Sequence, residues 1–159
     1  MTLVIRPLES SDAPAWSAMR RAMGPDWLVE DFDRLVNEFL TTGRIQTLPH
    51  AVFLALLDEH PIGFAEFSLR EYAEGCLTSP VTYLEGWYVE PRARGRGVGA
   101  ALVRAGEQWG IERGCSELAS DAEIENELSI RAHKALGFEE VGRAVCFRKS
   151  IAASPGGRA

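Results

Sequence analysis

The chain has 159 residues, of which 46% are hydrophobic and 25% are charged, as expected for one globular domain with a substantial core. A formal net charge of −6 argues against nucleic acid as the main partner and mildly favours a cationic small substrate. The three cysteines are widely spaced, with no Cys-x-x-Cys and no paired histidines, so zinc sites and a disulfide framework are not expected.

Hydropathy indicates neither a signal peptide nor a membrane span. The apolar run at Leu3–Ile5 is brief and is followed by Arg6. The longest uninterrupted apolar run, Ala51–Leu57, is far shorter than the thickness of a bilayer requires. We therefore expect a cytoplasmic protein.

The chain begins with a predicted strand over Leu3–Leu8 and two predicted helices. Ser10–Asp12 and Pro14 are typical of a helix start, and Gly24-Pro25-Asp26 should break the first helix. A second helix should then pack one apolar face in the core, formed by Leu28, Phe32, Leu35, Val36 and Phe39.

A hairpin and a third strand follow. Ala51–Leu57 and Ile62–Arg70 should pair around a turn at residues 58–61. Alternation places Phe64, Glu66 and Ser68 on one face and Ala65, Phe67 and Leu69 on the other. The polar loop 70–80 is long enough to suggest a functional role. In the next strand, 81–89, alternation predicts a shared face for Tyr83, Glu85, Trp87 and Val89.

A basic, glycine-rich loop follows this strand. Pro91 marks the end of the strand, because proline cannot donate to a sheet ladder. Glycines 95, 97 and 99 alternate with arginines, and a helical apolar pattern begins at Val98. Glycines let backbone N–H groups converge on a ligand, and a helix N-terminus favours negative charge. The strand, loop and helix together predict a site for a phosphate-bearing ligand.

The rest of the chain completes one α/β domain, assigned to residues 1–151. A short strand is predicted over Ser116–Ser120, followed by the acidic connection Asp121–Glu125. A helix over Asn126–Leu136 should end at Gly137, and Val141–Lys149 alternates as a final strand. The small and polar tail 152–159 is predicted to be disordered.

The glycine loop can be compared with three known glycine-rich patterns and with an ordinary turn. The loop lacks the Gly-Lys-Ser/Thr of a nucleotide P-loop, and its fit to the dinucleotide pattern, through Gly95, Gly97 and Ala100, is loose. An ordinary glycine-rich turn that caps a helix is a further alternative. Arg94-x-x-Gly97-x-Gly99 fits best the Gln/Arg-x-x-Gly-x-Gly/Ala signature of the GNAT N-acetyltransferases, whose loop binds the pyrophosphate of acetyl-CoA.

Other segments of the chain occur in the order typical of GNAT enzymes, and some of them match one branch of this family. The segment His133 to Phe138, with Leu136-Gly137-Phe138, follows in GNAT order and spacing. More narrowly, from about residue 3 to residue 151 the chain resembles the aminoglycoside 6'-N-acetyltransferases, through Gly63-Phe64-Ala65-Glu66, Arg70-x-Tyr72, Thr78-Ser79-Pro80, Leu84-Glu85-Gly86 and Ala119-Ser120-Asp121-Ala122. The resemblance implies a GNAT fold of the α/β (α+β) class. Its mixed, mostly antiparallel sheet would be flanked by helices and splayed near 85–89 to admit acetyl-CoA.

The resemblance also implies roles for individual residues. The backbone at Trp87, Tyr88 and Val89 should bind the acetyl carbonyl and the pantetheine arm, which polarises the carbonyl. The pyrophosphate should lie on the loop formed by Arg94, Gly95, Arg96, Gly97, Val98, Gly99 and Ala100. Asn126 should contact the pantetheine region, although Asn at this point also suits a helix N-cap, and both roles are compatible.

Acetyl transfer needs a neutral amine, although amines are mostly protonated near neutral pH, and a carboxylate near the site can bind the ammonium and then accept its proton, directly or through water. The resemblance implies a catalytic pair of acids: Asp121 is assigned to binding the reacting amine and to acting as base, and Glu85 to binding the aminoglycoside, directly or through a water. An acidic wall for a polycationic sugar would include Glu66, Tyr72, Glu71 and Glu74. The alternative for each acid is a solvated surface residue.

Three positions depart from the family pattern. His133 occupies the place where many members have a tyrosine that acts as an acid, so that role does not transfer directly. Gly24 and Gly142 stand where relatives often have Trp and Glu, and Trp27 is assigned to the missing aromatic surface for the substrate.

The implied reaction is direct acetyl transfer from acetyl-CoA to the 6'-amine of an aminoglycoside, which would give antibiotic resistance, by a homodimer that needs no metal. One rival is a GNAT enzyme that acetylates a polyamine, an amino acid or a peptide. A rival of another class is an acetyl-CoA-binding sensor without turnover.

Overall fold

The computed structural model describes the backbone of residues 1–24 and 29–151, and the side chains of residues 1–24 and 34–151. Three predictions lie outside these described residues. They are the disorder of the tail 152–159, the role of Trp27, and the core packing of Leu28 and Phe32.

The described strands form a mixed sheet in the order β1-β3-β4-β5-β6, with β2 paired to β3. The strands are β1 (Leu3–Pro7), β2 (Arg44–Ile45), β3 (Leu48–Leu57), β4 (His60–Arg70), β5 (Val81–Val89) and β6 (Leu118–Ser120). Neighbours from β1 to β5 are antiparallel, and only the β5–β6 pair is parallel among these strands. The predicted sheet type is confirmed.

Helices cover both faces of the sheet. They are α1 (Ala13–Met23), α2 (Val29–Thr42), α3 (Val98–Ile111) and α4 (Glu127–Ala135). On one face, Phe67 and Leu84 of the sheet pack with Leu102 of α3. On the other, Phe64 packs with Trp16 of α1, as the predicted alternation of β4 requires. Within the described residues, no helix combines the length and the apolar character needed to cross a bilayer.

A β-bulge in β5 changes the predicted alternation. Glu66 pairs with Gly86 and the next residue of β4, Phe67, pairs with Leu84, so Glu85 is an extra residue without an opposite partner. Tyr83 and Glu85 therefore lie on one face of the sheet, where both contact Arg70. Trp87 lies on the opposite face, where it packs against the core below α3. The prediction that Tyr83, Glu85, Trp87 and Val89 share one face was wrong, because a bulge resets the period of two.

The final strand predicted over residues 141–149 was also wrong. The backbone from 139 to 151 forms no ladder with any strand of the described chain. The sequence alternates as a strand does, but β6 has only three residues and offers little edge for pairing. Val145 and Phe147 are 78% and 92% exposed as a result.

Candidate active site

The sheet opens at the point where β5 and β6 separate. Their pairing ends at Leu84 and Ser120, although β5 continues to Val89. Within the described residues, the edge of β5 that faces away from β4 is therefore without a strand partner over residues 85–89. Backbone donors and acceptors along this edge are available to an extended ligand.

The glycine loop lies between the end of β5 and the start of α3. Gly97 is the N-cap of α3 with φ +79°, and Gly95 has φ +70°. Both values lie in the left-handed region, which side chains other than glycine adopt at a cost. The loop is tied to β5 by Arg94, whose Nε donates to the carbonyl of Val89 at 2.8 Å. The unpaired N–H groups at the start of α3 and the neighbouring arginines suit a pyrophosphate.

The first turn of α3 lies directly against β5. A Cβ placed on Gly99 would come within 2.9 Å of the indole of Trp87, which leaves no room for a side chain there. The open edge of β5 and the anion-binding loop are thus adjacent, as a ligand with a pyrophosphate at one end and an acyl arm at the other requires. The sequence-predicted loop residues and Trp87–Val89 are brought together.

Asn126 lies at the start of α4, where its side chain accepts a hydrogen bond from the N–H of Ser129 at 3.0 Å. The predicted N-cap role is confirmed. Its contact with a pantetheine arm stays a prediction.

Glu85 is engaged in an ion pair. The guanidinium of Arg70 donates to it from Nη2 at 2.7 Å and from Nε at 3.0 Å, and Ser68 donates to the same carboxylate. The charge of Glu85 is therefore compensated within the protein. A carboxylate held by a bidentate pair and a hydroxyl has a fixed position, from which it can orient neighbouring groups.

Asp121 lies just past the end of β6 and has a different partner. Its Oδ2 accepts a hydrogen bond from the hydroxyl of Tyr83 at 2.8 Å. Burial of the phenol and this hydrogen bond raise the pKa of Tyr83 well above its ordinary value, so the phenol stays protonated. Among the described side chains, no Lys or Arg forms an ion pair with Asp121, so its charge is available to a cation.

Glu66 is enclosed by the protein instead of lining a wall. It is 2% exposed, accepts a hydrogen bond from the indole of Trp16 at 2.7 Å and pairs with the Nε of Arg20 at 3.0 Å. Burial raises the pKa of Glu66 despite the opposing charge of Arg20. The predicted substrate contact of Glu66 was wrong, because the carboxylate forms an ion pair inside the protein. The alternation of β4 predicted the correct face for Glu66, but the sequence could not show that α1 covers this side chain.

Tyr72 is 65% exposed and its hydroxyl donates to Glu74 at 3.0 Å. Both side chains belong to the loop between β4 and β5, which borders the opening. Their contact with a substrate stays a prediction.

His133 belongs to α4 and contacts residues of both β6 and β5, at the point where these strands separate. Its Nδ1 donates to the carbonyl of Ser129 at 2.8 Å, and its Nε2 is 2.9 Å from the hydroxyl of Ser120. The ring also packs edge-on against Trp87 and Phe138. His133 therefore combines a packing role with a hydrogen bond to a hydroxyl at the end of β6.

A cavity of about 670 Å³ extends from these residues toward the segment 139–146. Its lining includes Tyr83, Asp121, His133 and Gly142. Its acidic lining residues are Glu74, Asp121, Glu123, Glu139 and Glu140. Glu140 is compensated, because Arg143 and then Lys134 lower its pKa to about 2. Asp121, which has no compensating cation among the described residues, directly follows Ser120, where the β5–β6 ladder ends.

Two residues of this site were not assigned a role from the sequence. In the sequence, Arg70 stands out only as part of a motif and Tyr83 only as a residue of a predicted strand face. The contacts that reveal them join residues 15 and 38 positions apart, beyond the range of local patterns.

The chain from residue 14 to residue 138 matches the model of the Acetyltransferase (GNAT) family. A relative from Klebsiella aerogenes, named aminoglycoside N(6')-acetyltransferase type 1, is 45% identical over 93% of this chain and 97% of its own length. A relative of the same name from Stenotrophomonas maltophilia is 42% identical over 92% and 93%.

Solved structures give the same result. AAC(6')-Iy, in complex with the bisubstrate analogue CoA-S-monomethyl-acetylneamine, superposes with a TM-score of 0.87 and 36% identity, over 95% of this chain and 100% of that one. AAC(6')-Ih from Acinetobacter baumannii superposes with a TM-score of 0.82 and 33% identity, over 95% and 100%. The fold, the loop at the start of α3 and these matches lead to one conclusion: the chain belongs to the GNAT acetyltransferase family.

Proposed function

We propose that this protein transfers the acetyl group of acetyl-CoA to the 6'-amine of an aminoglycoside, as one domain over residues 1–151. The relatives at 45% and 42% identity carry that activity in their names, and AAC(6')-Iy binds an analogue that joins CoA to an acetylated neamine. The observation that carries the proposal is the placement of Asp121, an acid without a compensating cation among the described residues, at the end of the opening beside β5.

The described residues supply three functions for the reaction. The loop 94–100 and the N-terminus of α3 bind the pyrophosphate, which fixes the thioester end of the ligand along β5. Backbone donors of the open β5 edge polarise the acetyl carbonyl while negative charge develops on its oxygen. Asp121 attracts the substrate ammonium and accepts its proton, directly or through water.

The acetyl transfer forms one bond, breaks one bond and releases protons, as follows from the chemistry of a thioester and an amine. The neutral amine forms a C–N bond to the acetyl carbon, and the C–S bond breaks to release coenzyme A as a thiolate. The substrate ammonium loses two protons in all: one passes to Asp121 before the attack, and the other leaves the nitrogen after the C–N bond has formed. The second can reprotonate the thiolate.

Further substrate contacts belong to the same proposal. Glu85 orients the sugar near Asp121 while it stays paired with Arg70. Tyr72, Glu74 and Trp27 extend the binding surface for the remaining rings. Acetylation would remove a positive charge from the antibiotic and so give resistance.

We further propose that the chain forms a homodimer through residues 139–151. Val145 and Phe147 belong to an alternating apolar pattern, are strongly exposed, and have no strand partner within the described residues. Pairing with a second copy would cover them. Phe147→Asp should shift the mass measured by light scattering to that of a monomer, whereas Ser150→Asp, with the same added charge on the other strand face, should not. A dimer that survives Phe147→Asp contradicts this proposal.

The activity is tested by coenzyme A release with four acceptors: an aminoglycoside with a 6'-amine, its 6'-hydroxyl analogue, spermidine and a short peptide with a free amine. Turnover confined to the 6'-amine compound supports the proposal. Preference for spermidine or the peptide would favour an acetyltransferase of another amine, and binding of acetyl-CoA without turnover would favour a sensor.

Asp121→Asn should reduce kcat/KM by about 100-fold or more, the range for a general base. Glu125→Gln is the matched control, because it removes one negative charge from the same acidic connection. Equal losses in the two variants would contradict the role of Asp121.

A further inference from the structure

Tyr83 combines a buried ring with a hydroxyl aimed at the candidate base. The residue is 8% exposed and packs with Ala73, Val81 and Ala119. Its hydroxyl reaches the end of the neighbouring strand and donates to Asp121 at 2.8 Å. Phenylalanine would fill the same apolar cluster, so packing explains the ring but not the hydroxyl.

The hydrogen bond engages one side of the Asp121 carboxylate. A phenol has a single proton to donate, and here that proton is directed at Oδ2. The other oxygen, Oδ1, is left for the substrate. Because the donor is neutral, the carboxylate keeps its full charge, unlike Glu85, whose charge is compensated by Arg70.

Arg70 joins the two acids into one assembly. Its guanidinium lies 3.5 Å from the centroid of the Tyr83 ring, while its N–H groups donate to Glu85. A cation over the ring face makes the phenol a stronger donor, in keeping with the direction in which the charge of Arg70 acts on Tyr83. The same stacking fixes the ring plane, and with it the direction of the hydroxyl.

We infer that Tyr83 is a positioning residue, which orients the Asp121 carboxylate with one oxygen toward the incoming ammonium, and that Arg70 supports it through the ring face. This inference rests on the proposed function, because it assigns Tyr83 a role in the step for which Asp121 is the base. Asp121 follows directly after β6 and is exposed, so a fixed partner gives it an orientation that the connection alone does not.

The test is a double-mutant cycle with Tyr83→Phe and Asp121→Ala, measured as kcat/KM for a 6'-amino aminoglycoside and as aminoglycoside affinity by calorimetry. Tyr83→Phe should lower kcat/KM by about tenfold in the wild-type protein, the worth of one hydrogen bond to a charged group. In the Asp121→Ala background it should change neither kcat/KM nor affinity, since the partner is already absent. The KM for acetyl-CoA should stay the same in Tyr83→Phe.

A purely structural role makes a different prediction. Tyr83→Phe would then cost the same in both backgrounds, and equal losses would overturn the inference, as would an unchanged kcat/KM in the wild-type background. Val81→Ala is the control, because it loosens the same apolar cluster without touching Asp121 and should leave kcat unchanged below its melting temperature. Failure of the wild-type protein to acetylate the 6'-amine would instead refute the proposed function.

Discussion

Replacement of Gly97 by alanine separates backbone strain from ligand binding at the start of α3. Gly97 has φ +79° and no heavy atom within 4 Å of an added Cβ, so an alanine there meets no steric clash and pays only for its backbone conformation. That cost is about 1–2 kcal/mol. For a chain of this size it should lower the melting temperature by about 2–8 °C.

The effect on acetyl-CoA binding comes from the same strain. With alanine at residue 97, the loop can relieve part of the backbone strain by leaving the left-handed conformation. This change would turn the N–H groups of the first turn of α3 away from the pyrophosphate. Loss of one charge-assisted hydrogen bond is worth about 1.5 kcal/mol or more. The KM for acetyl-CoA should therefore rise by about tenfold, while the KM for the aminoglycoside should change little.

Gly114→Ala is the matched control. Gly114 has φ +83° and equally open surroundings, but it lies beyond the opposite end of α3, about 20 Å from the loop along the helix. The melting temperature of the Gly114→Ala protein should fall by a similar amount, with no change in its KM for acetyl-CoA. The reasoning is refuted if Gly97→Ala melts like the control and also binds acetyl-CoA like the wild-type protein.

Two further predictions concern ion pairs. Arg70→Lys should lower kcat/KM for the aminoglycoside several-fold in steady-state assays, because lysine provides neither the bidentate fork to Glu85 nor a planar group for stacking; an unchanged kcat/KM would show that a point charge suffices. Asp12 is nearly buried, and the hydrogen bond from Arg6 is the main cause that lowers its pKa. The ionised carboxylate therefore stabilises the folded protein fully above a pH of about 4, and this stabilisation is lost as the pH falls through the folded-state pKa. Asp12→Asn should cost about 1 kcal/mol in denaturant unfolding at pH 7 and flatten the loss of stability below pH 4, whereas parallel curves for both proteins would exclude this linkage.

Local patterns were sufficient for the features that depend on one stretch of chain. The glycine loop was predicted because left-handed φ values at Gly95 and Gly97 are a property of those residues, and the helix at Val98 follows from its apolar period. The N-cap at Asn126 and the end of α4 at Gly137 were predicted for the same reason.

Features that depend on the opposite strand were not predictable. A bulge at Glu85 leaves no mark in the sequence of β5, because it is defined by which residues of β4 lie opposite. The enclosure of Glu66 depends in the same way on where α1 lies. At the C-terminus the apolar alternation was recognised, but a strand also needs an edge, and the described chain provides only the short β6.

The bulge has a consequence for how the protein tolerates the loss of a residue. If Glu85 were deleted, Leu84 and Gly86 would become neighbours in the chain and would still pair with Phe67 and Glu66, now in a regular ladder. Deletion of Leu84 or Gly86 would also remove the bulge, but it would place the carboxylate of Glu85 in the regular ladder opposite Phe67 or Glu66. The carboxylate that pairs with Arg70 thus belongs to an inserted residue that the sheet itself does not require, and a one-codon deletion there should leave a folded protein that lacks this carboxylate.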